Sequence, residues 1–317
     1  MSQQSALEYL RHGQTPFFRL PDARPEALPP GTGAALLGVP FDGGTTYQPG
    51  ARFGPFHVRR VSALVQSWHP GHRLDVFRRL ACVDAGNVVF PPFQPAAMRE
   101  AVQAAVEVVA RAAAVPVLVG GDHSIALPAL RALARVHGPL AVIHLDAHLD
   151  TSGPETWGEP YHHGTPFRNA LDEGLVAAGQ LHHVGIRGAC APPEEGAAPH
   201  GTVHTADEVG DRGAAAVGAA LLAAVGRRPV YLSLDVDALD PAFAPGTGTP
   251  VPGGLSSREA LRLLRALAGV RLAGLDVVEV CPPLDHADLT SHAAAHLLFE
   301  GLALAALAPD RGREPAP

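Results

Sequence analysis

The stretch that most restricts this chain is the apolar run Leu140-Ala-Val-Ile-His-Leu145, which passes without a break into Asp146-Ala147-His148-Leu149-Asp150. Side chains alternate along extended backbone, so Asp146, His148 and Asp150 fall on one side if the segment stays extended past the strand end. Three potential ligands then converge where side chains are freest to meet a solute. The oxygen-rich set suits Mg²⁺ or Mn²⁺ better than a structural zinc, which recruits cysteine thiolates. Taken alone, the stretch is better read as a strand terminus with a capping Asp and a satisfied His.

The pattern recurs along the chain. Residues 115–119 run into Gly120-Gly121-Asp122-His123-Ser124, where the glycines permit a sharp turn and Ser124 is placed to cap the following helix. Residues 229–234 deliver Asp235-Val236-Asp237, and residues 272–280 present Glu279. Further strands are expected at 34–40, 80–84, 181–186 and 202–204, and helices at 55–68, 95–114, 125–137, 167–178, 213–225, 256–268 and 288–307. Strands separated by such crossovers pair in parallel. The crossovers are too uneven for a closed barrel, so the expectation is one open α/β sheet with its site beyond the carboxyl ends of the strands.

Pro16, Pro21, Pro25, Pro29 and Pro30 preclude a long helix at the start, so residues 1–33 read as an extended arm, 34–308 as a single domain and 309–317 as a tail. Residues 189–201 read as a Pro/Gly-rich surface loop. Gly43-Gly44 lacks phosphate-binding spacing and reads as a turn. With 24 Lys+Arg against 31 Asp+Glu and a formal net charge of −7, neither nucleic acid nor an anionic membrane is the expected partner, while small cationic ligands remain open. Three scattered cysteines form no disulfide framework. The start has no apolar leader and no stretch is long enough to span a bilayer, so a cytoplasmic location is expected.

Charge counting joins the motifs. Asp146, Asp150, Asp235 and Asp237 in one cleft would carry a charge that two divalent ions neutralise and one does not. Two ions sharing a water would lower its pKa, so the reaction class is hydrolysis. His163, in a Gly-flanked loop, is either a surface histidine or part of the site, and Glu279 is either beside a cation or at a solvated strand end.

At these residues the sequence resembles the ureohydrolase family, the arginase and agmatinase group of binuclear manganese enzymes. The motifs are Gly-Gly-Asp-His-Ser (120–124), Asp-Ala-His-Leu-Asp (146–150), His-Gly (163–164), Ser-Leu-Asp-Val-Asp-Ala-Leu-Asp-Pro (233–241) and Val-Glu-Val (278–280). The resemblance implies a three-layer α/β/α fold with an eight-stranded parallel sheet, assembled into a trimer or hexamer. It implies two Mn²⁺ per chain, one held by His123, Asp146, Asp150 and Asp235, the other by Asp146, His148, Asp235 and Asp237. It further implies that Asp150 orients the attacking hydroxide, Glu279 pairs with the substrate guanidinium, and His163 serves as the acid or proton shuttle for the departing amine. The products would be urea and an amine.

Thr151-Ser152-Gly153 stands where arginases carry an Asn for the amino-acid carboxylate, which disfavours arginine. The stretches 47–54, 162–168 and 282–286 look like agmatinases, guanidinobutyrases and proclavaminate amidinohydrolase, while Val251 replaces a Glu found in many agmatinases. The expected reaction is agmatine to putrescine and urea, with guanidinobutyrate, guanidinopropionate and proclavaminate-type substrates as alternatives. A formimino- or acyl-lysine-type hydrolase and a catalytically silent, metal-stabilised scaffold are competing readings, and the complete set of candidate ligands argues against both.

Overall fold

The computed structural model describes residues 16–188 and 200–309. The parts of the expected arm, loop and tail at 1–15, 189–199 and 310–317 lie outside the described residues. Eight strands form one sheet: β1 (Ala34–Gly38), β2 (Cys82–Asn87), β3 (Val115–Val119), β4 (Leu140–Leu145), β5 (Val176–Ile186), β6 (Thr202–Thr205), β7 (Val230–Asp235) and β8 (Leu272–Val278). Their order is β2-β1-β3-β8-β7-β4-β5-β6, and every neighbouring pair is parallel.

Helices α1 (Gly54–Ser62), α2 (Val76–Leu80), α3 (Pro95–Arg111), α4 (Ala126–His137), α5 (Pro166–Asp172), α6 (Ala206–Arg212), α7 (Ala214–Val225), α8 (Ser257–Arg265) and α9 (Leu289–Ala306) cover the two faces. Alternate strand residues divide between two cores. Leu36, Val117, Ile143, Leu232 and Leu275 pack with α1, α2, α7, α8 and α9, whereas Leu37, Leu118, Val142 and Tyr231 pack with α3, α4 and α5. The result is the expected three-layer α/β/α arrangement. Each buried Leu or Val contributes roughly 1.5–3 kcal/mol, so a sheet covered on both sides tolerates few polar residues that lack partners.

The local departures from the sequence reading have identifiable causes. The helix expected to reach residue 68 ends at Ser62, where Leu64 and Val65 tighten the last turn by bonding back to Val61 and Ser62. Trp68–His69 then pairs antiparallel with Leu74–Asp75. The helix expected over 167–178 stops at Asp172, Gly174 adopts a left-handed φ of 68°, and β5 starts as early as Val176. Asp122, not Ser124, caps the turn before α4, accepting from the Ser124 N–H at 3.0 Å. Gly121 is required by a close approach, since a Cβ there would lie 1.7 Å from the Phe41 carbonyl oxygen. The N-terminal segment is docked through buried Phe17, Phe18 and Leu20, with the Phe17 N–H donating to Asp84 at 2.8 Å. No helix among the described residues is long and apolar enough to cross a membrane.

The sheet order positions the site. β3, β8, β7 and β4 are consecutive in the sheet although β3 and β4 are consecutive in sequence, so the β3–α4–β4 crossover passes over two strands. The ends of four central strands therefore face one crevice, the place where open α/β sheets bind ligands.

Candidate metal centre

β3 leads through Gly120–Asp122 to His123, β4 to Asp146, His148 and Asp150, β7 ends in Asp235 and leads to Asp237, and Glu279 follows β8. The structure brings all of them together. His123 Nδ1 lies 3.2 Å from Asp146 Oδ2, 3.0 Å from Asp150 Oδ2 and 3.3 Å from Asp235 Oδ2. His148 Nδ1 lies 3.3 Å from Asp146 Oδ1 and 3.1 Å from Asp237 Oδ2. Asp146 thus turns one oxygen to each histidine and belongs to two groups able to hold a cation, one with His123, His144 and Asp150, the other with His148 and Asp237. Asp235 Oδ2 also faces His123 Nδ1, while its Oδ1 accepts the Asp237 N–H at 2.8 Å.

Continued strand alternation is not what unites these side chains. β4 stops at Leu145, and Asp150 takes a left-handed φ of 51° that turns its carboxylate towards His123. β7 stops at Asp235, and a 3₁₀ turn over Val236–Ala238 carries Asp237 inward. Glu279 has φ of 63°. Left-handed backbone at non-glycine residues costs of order 1–3 kcal/mol and clusters where side chains must be aimed.

The electrostatics express a surplus of buried acid. Burial and the neighbouring charges of Asp237 and Asp146 push Asp235 well above the carboxylate range, and burial with Asp146 pushes Asp237 up to about 7. Burial and the Asp146 charge raise Asp150 as well. Burial disfavours the cationic imidazoles, yet Asp146, Asp150 and Asp235 hold His123 well above its ordinary value, and Asp146 and Asp237 raise His148 to about 12. Burial opposes ionisation of Asp146, but His144, His123 and His148 hold it well below the usual range. Metal ions bound at such imidazoles would compete with their protons. Two atoms fit that exchange directly: His123 Nδ1 and Asp237 Oδ2 are buried and, although oppositely charged groups stand 3.0–3.3 Å away, neither is satisfied by a well-directed hydrogen bond among the described residues.

His163 approaches from the loop before α5. Its Nδ1 is 3.0 Å from Glu279 Oε1, and its Nε2 is 2.7 Å from Thr46 Oγ1. Burial lowers its basicity, but Glu279, Asp150 and Asp122 together raise it to about 9. Glu279 Oε1 also accepts the His123 N–H at 2.9 Å, so both of these bonds fall on one carboxylate oxygen. Gly44 ties this side together, donating its N–H to Asp122 at 2.7 Å and accepting the His163 N–H at 3.0 Å.

The sequence reading missed a supporting layer. His123 Nε2 meets Ser233 Oγ at 2.8 Å, Ser233 Oγ donates to Asp276 at 2.8 Å, and the Tyr231 hydroxyl also donates to Asp276. His144 Nε2 meets Asp146 Oδ2 at 2.7 Å, and its Nδ1 meets His183 Nδ1 at 2.8 Å. The available signal was a polar residue inside an apolar strand, which requires a partner when buried.

Fold and site together define an α/β/α protein whose central strand ends carry two groups of metal-capable side chains sharing one carboxylate. Residues 32–303 match the model of the arginase family. Proclavaminate amidinohydrolase of Streptomyces clavuligerus is 45% identical over 298 residues, covering 92% of this chain and 94% of the relative. Guanidinopropionase of Pseudomonas aeruginosa is 41% identical over 295 residues, covering 92% and 91%. The solved structure of the S. clavuligerus proclavaminate amidinohydrolase matches with a TM-score of 0.86 at 44% identity, covering 94% of this chain and 99% of that one. The chain belongs to the arginase family and is a ureohydrolase, an enzyme that hydrolyses C–N bonds.

Proposed function

We propose that this enzyme cleaves a linear guanidino compound to urea and an amine, using two manganese ions. One ion would be held by His123, Asp146, Asp150 and Asp235, the other by Asp146, His148, Asp235 and Asp237. The observation that carries the reading is Asp146, whose two oxygens face His123 and His148 separately within a buried surplus of carboxylates. Imidazole and carboxylate donors without a thiolate suit manganese. When bound, the ions supply Lewis acidity that lowers the pKa of a shared water towards neutrality.

The chain's own groups account for the rest. Asp150, aimed inward by its left-handed backbone, orients the attacking water. Glu279 uses Oε1 internally, which leaves Oε2 to receive the guanidinium in a charge-assisted pair. His163, raised to about 9, is protonated at neutral pH and can give its proton to the departing nitrogen, with Thr46 Oγ1 at the ring's Nε2 and Glu279 at its Nδ1. Agmatine, giving putrescine, heads the substrates. A second reading, an ω-guanidino acid, is favoured by Val251 in the place of a Glu and by the names of the two relatives.

Manganese-loaded protein is to be assayed for urea with agmatine, 4-guanidinobutyrate, 3-guanidinopropionate, the proclavaminate precursor and arginine. At least one of the first four should release urea faster than arginine does. Absence of urea from all five sinks the proposal.

A further inference from the structure

A second group of ligating side chains lies where the short antiparallel ladder meets the closing helix, and it shares no residue with the strand-end cluster. The turn after Trp68–His69 returns the chain so that the His69 and His72 rings sit 4.5 Å apart between centroids. His69 is 1% exposed and stacks on Phe299 of α9, with 5.7 Å between centroids and 13° between planes. The next residue, Glu300, is 3% exposed and places Oε2 2.9 Å from His69 Nε2. Arg265 of α8 donates to the other oxygen, Oε1, from Nε at 2.8 Å.

Hydrogen-bond donors fix the state of these groups. The His72 backbone N–H donates to His69 Nδ1 at 3.0 Å, so that nitrogen is an acceptor and the single ring proton sits on Nε2, facing Glu300. His72 Nε2 is buried and has no hydrogen-bond partner among the described residues. Burial, His69 and Arg265 hold His72 below its ordinary value, despite Glu300, so its ring is neutral and carries a lone pair. One coordinating atom each from His69, His72 and Glu300 lies within 4.8 Å of the other two. A hydrogen-bonded clamp of His69, Glu300 and Arg265 needs no His72, and it leaves the orphaned nitrogen unexplained.

We infer that His69, His72 and Glu300 form a separate binding site for a divalent transition ion of the zinc type. Two imidazoles and one carboxylate are a zinc donor set with a fourth position left for water or another ligand. Binding requires the His69 ring proton to move from Nε2 to Nδ1, which breaks the bond from the His72 N–H and leaves the Nε2 lone pair for the ion, while Arg265 remains on Oε1. The ion would tie residues more than two hundred positions apart in sequence, clamping the ladder to the helix that closes the domain, a structural role and not a catalytic one.

The test counts metal on the full chain. Manganese-saturated native protein, His72→Ala and His72→Gln are incubated with zinc chloride, freed of loose metal by gel filtration and analysed for manganese and zinc. Native protein should hold about one zinc per chain more than either variant, with equal manganese in all three. Added zinc should also raise the native melting temperature and leave the variants unmoved. As a control on the site's independence, Asp146→Ala, which dismantles the strand-end cluster, should keep the zinc that His72→Ala lacks. Equal zinc in native and His72 variants, or loss of the extra zinc in Asp146→Ala that is shown folded by circular dichroism, overturns the inference.

Discussion

Two clusters of histidine and carboxylate sit in one molecule and solve the same electrostatic problem differently. At the strand ends, Asp146, Asp150, Asp235 and Asp237 outnumber the imidazoles that face them, and several carboxyls are driven up as a result. Beside α9, the charge of the single acid Glu300 is matched by Arg265, with His69 Nε2 as a further hydrogen-bond partner. Buried charge is tolerated only when compensated. The central cluster is therefore built to need external cations, whereas the peripheral one is stable on its own. The difference teaches that shared carboxylates, more than histidine content, distinguish a cluster built to take up cations from one that is stable without them.

Substitutions can break this contrast. Asp235→Ala removes an oxygen facing His123 and should lower bound manganese below two per chain, with loss of urea release exceeding the roughly 10–100-fold typical of supporting partners. Elemental analysis alongside the urea assay checks both, and unchanged stoichiometry refutes a bridging Asp235. His163→Asn should cut kcat by about 10²–10⁴-fold, the range for a general acid, while manganese content stays at the native value. Ser233→Ala, which frees His123 Nε2, should weaken manganese affinity by about 10–100-fold and restore activity at high manganese. Glu300→Gln should cost about 1–3 kcal/mol of stability in chemical denaturation and leave urea release alone.

A smaller effect concerns pH. His163 has a folded-state pKa of about 9, above its ordinary value, so its contribution to stability is fully present below the ordinary histidine range and fades as pH rises through about 9. Denaturation midpoints compared near pH 6 and above pH 9 should fall less in His163→Asn than in the native chain.

The strand-end cluster was legible because each candidate follows an apolar run, and alternation plus charge counting made Asp146 and Asp235 read as a set. What could not be read was adjacency. Only the sheet order reveals that β3, β8, β7 and β4 are neighbours, since no local pattern encodes a crossover passing over two strands. The left-handed turns at Asp150 and Glu279 were equally hidden, because tertiary contacts impose them against backbone preference. His144 and Asp276 were visible as polar residues inside apolar strands, but their partners His183 and Ser233 come from neighbouring strands. The ladder at Trp68–Asp75 was obscured by helical spacing that continues past Ser62.

The most direct test of the central claim is metal dependence of urea release. Protein stripped with a chelator and dialysed should release no urea from its best substrate, and activity should return on titration with Mn²⁺, reaching its plateau at about two ions per chain. Undiminished urea release from the stripped protein, with residual metal far below one per chain, would contradict the account.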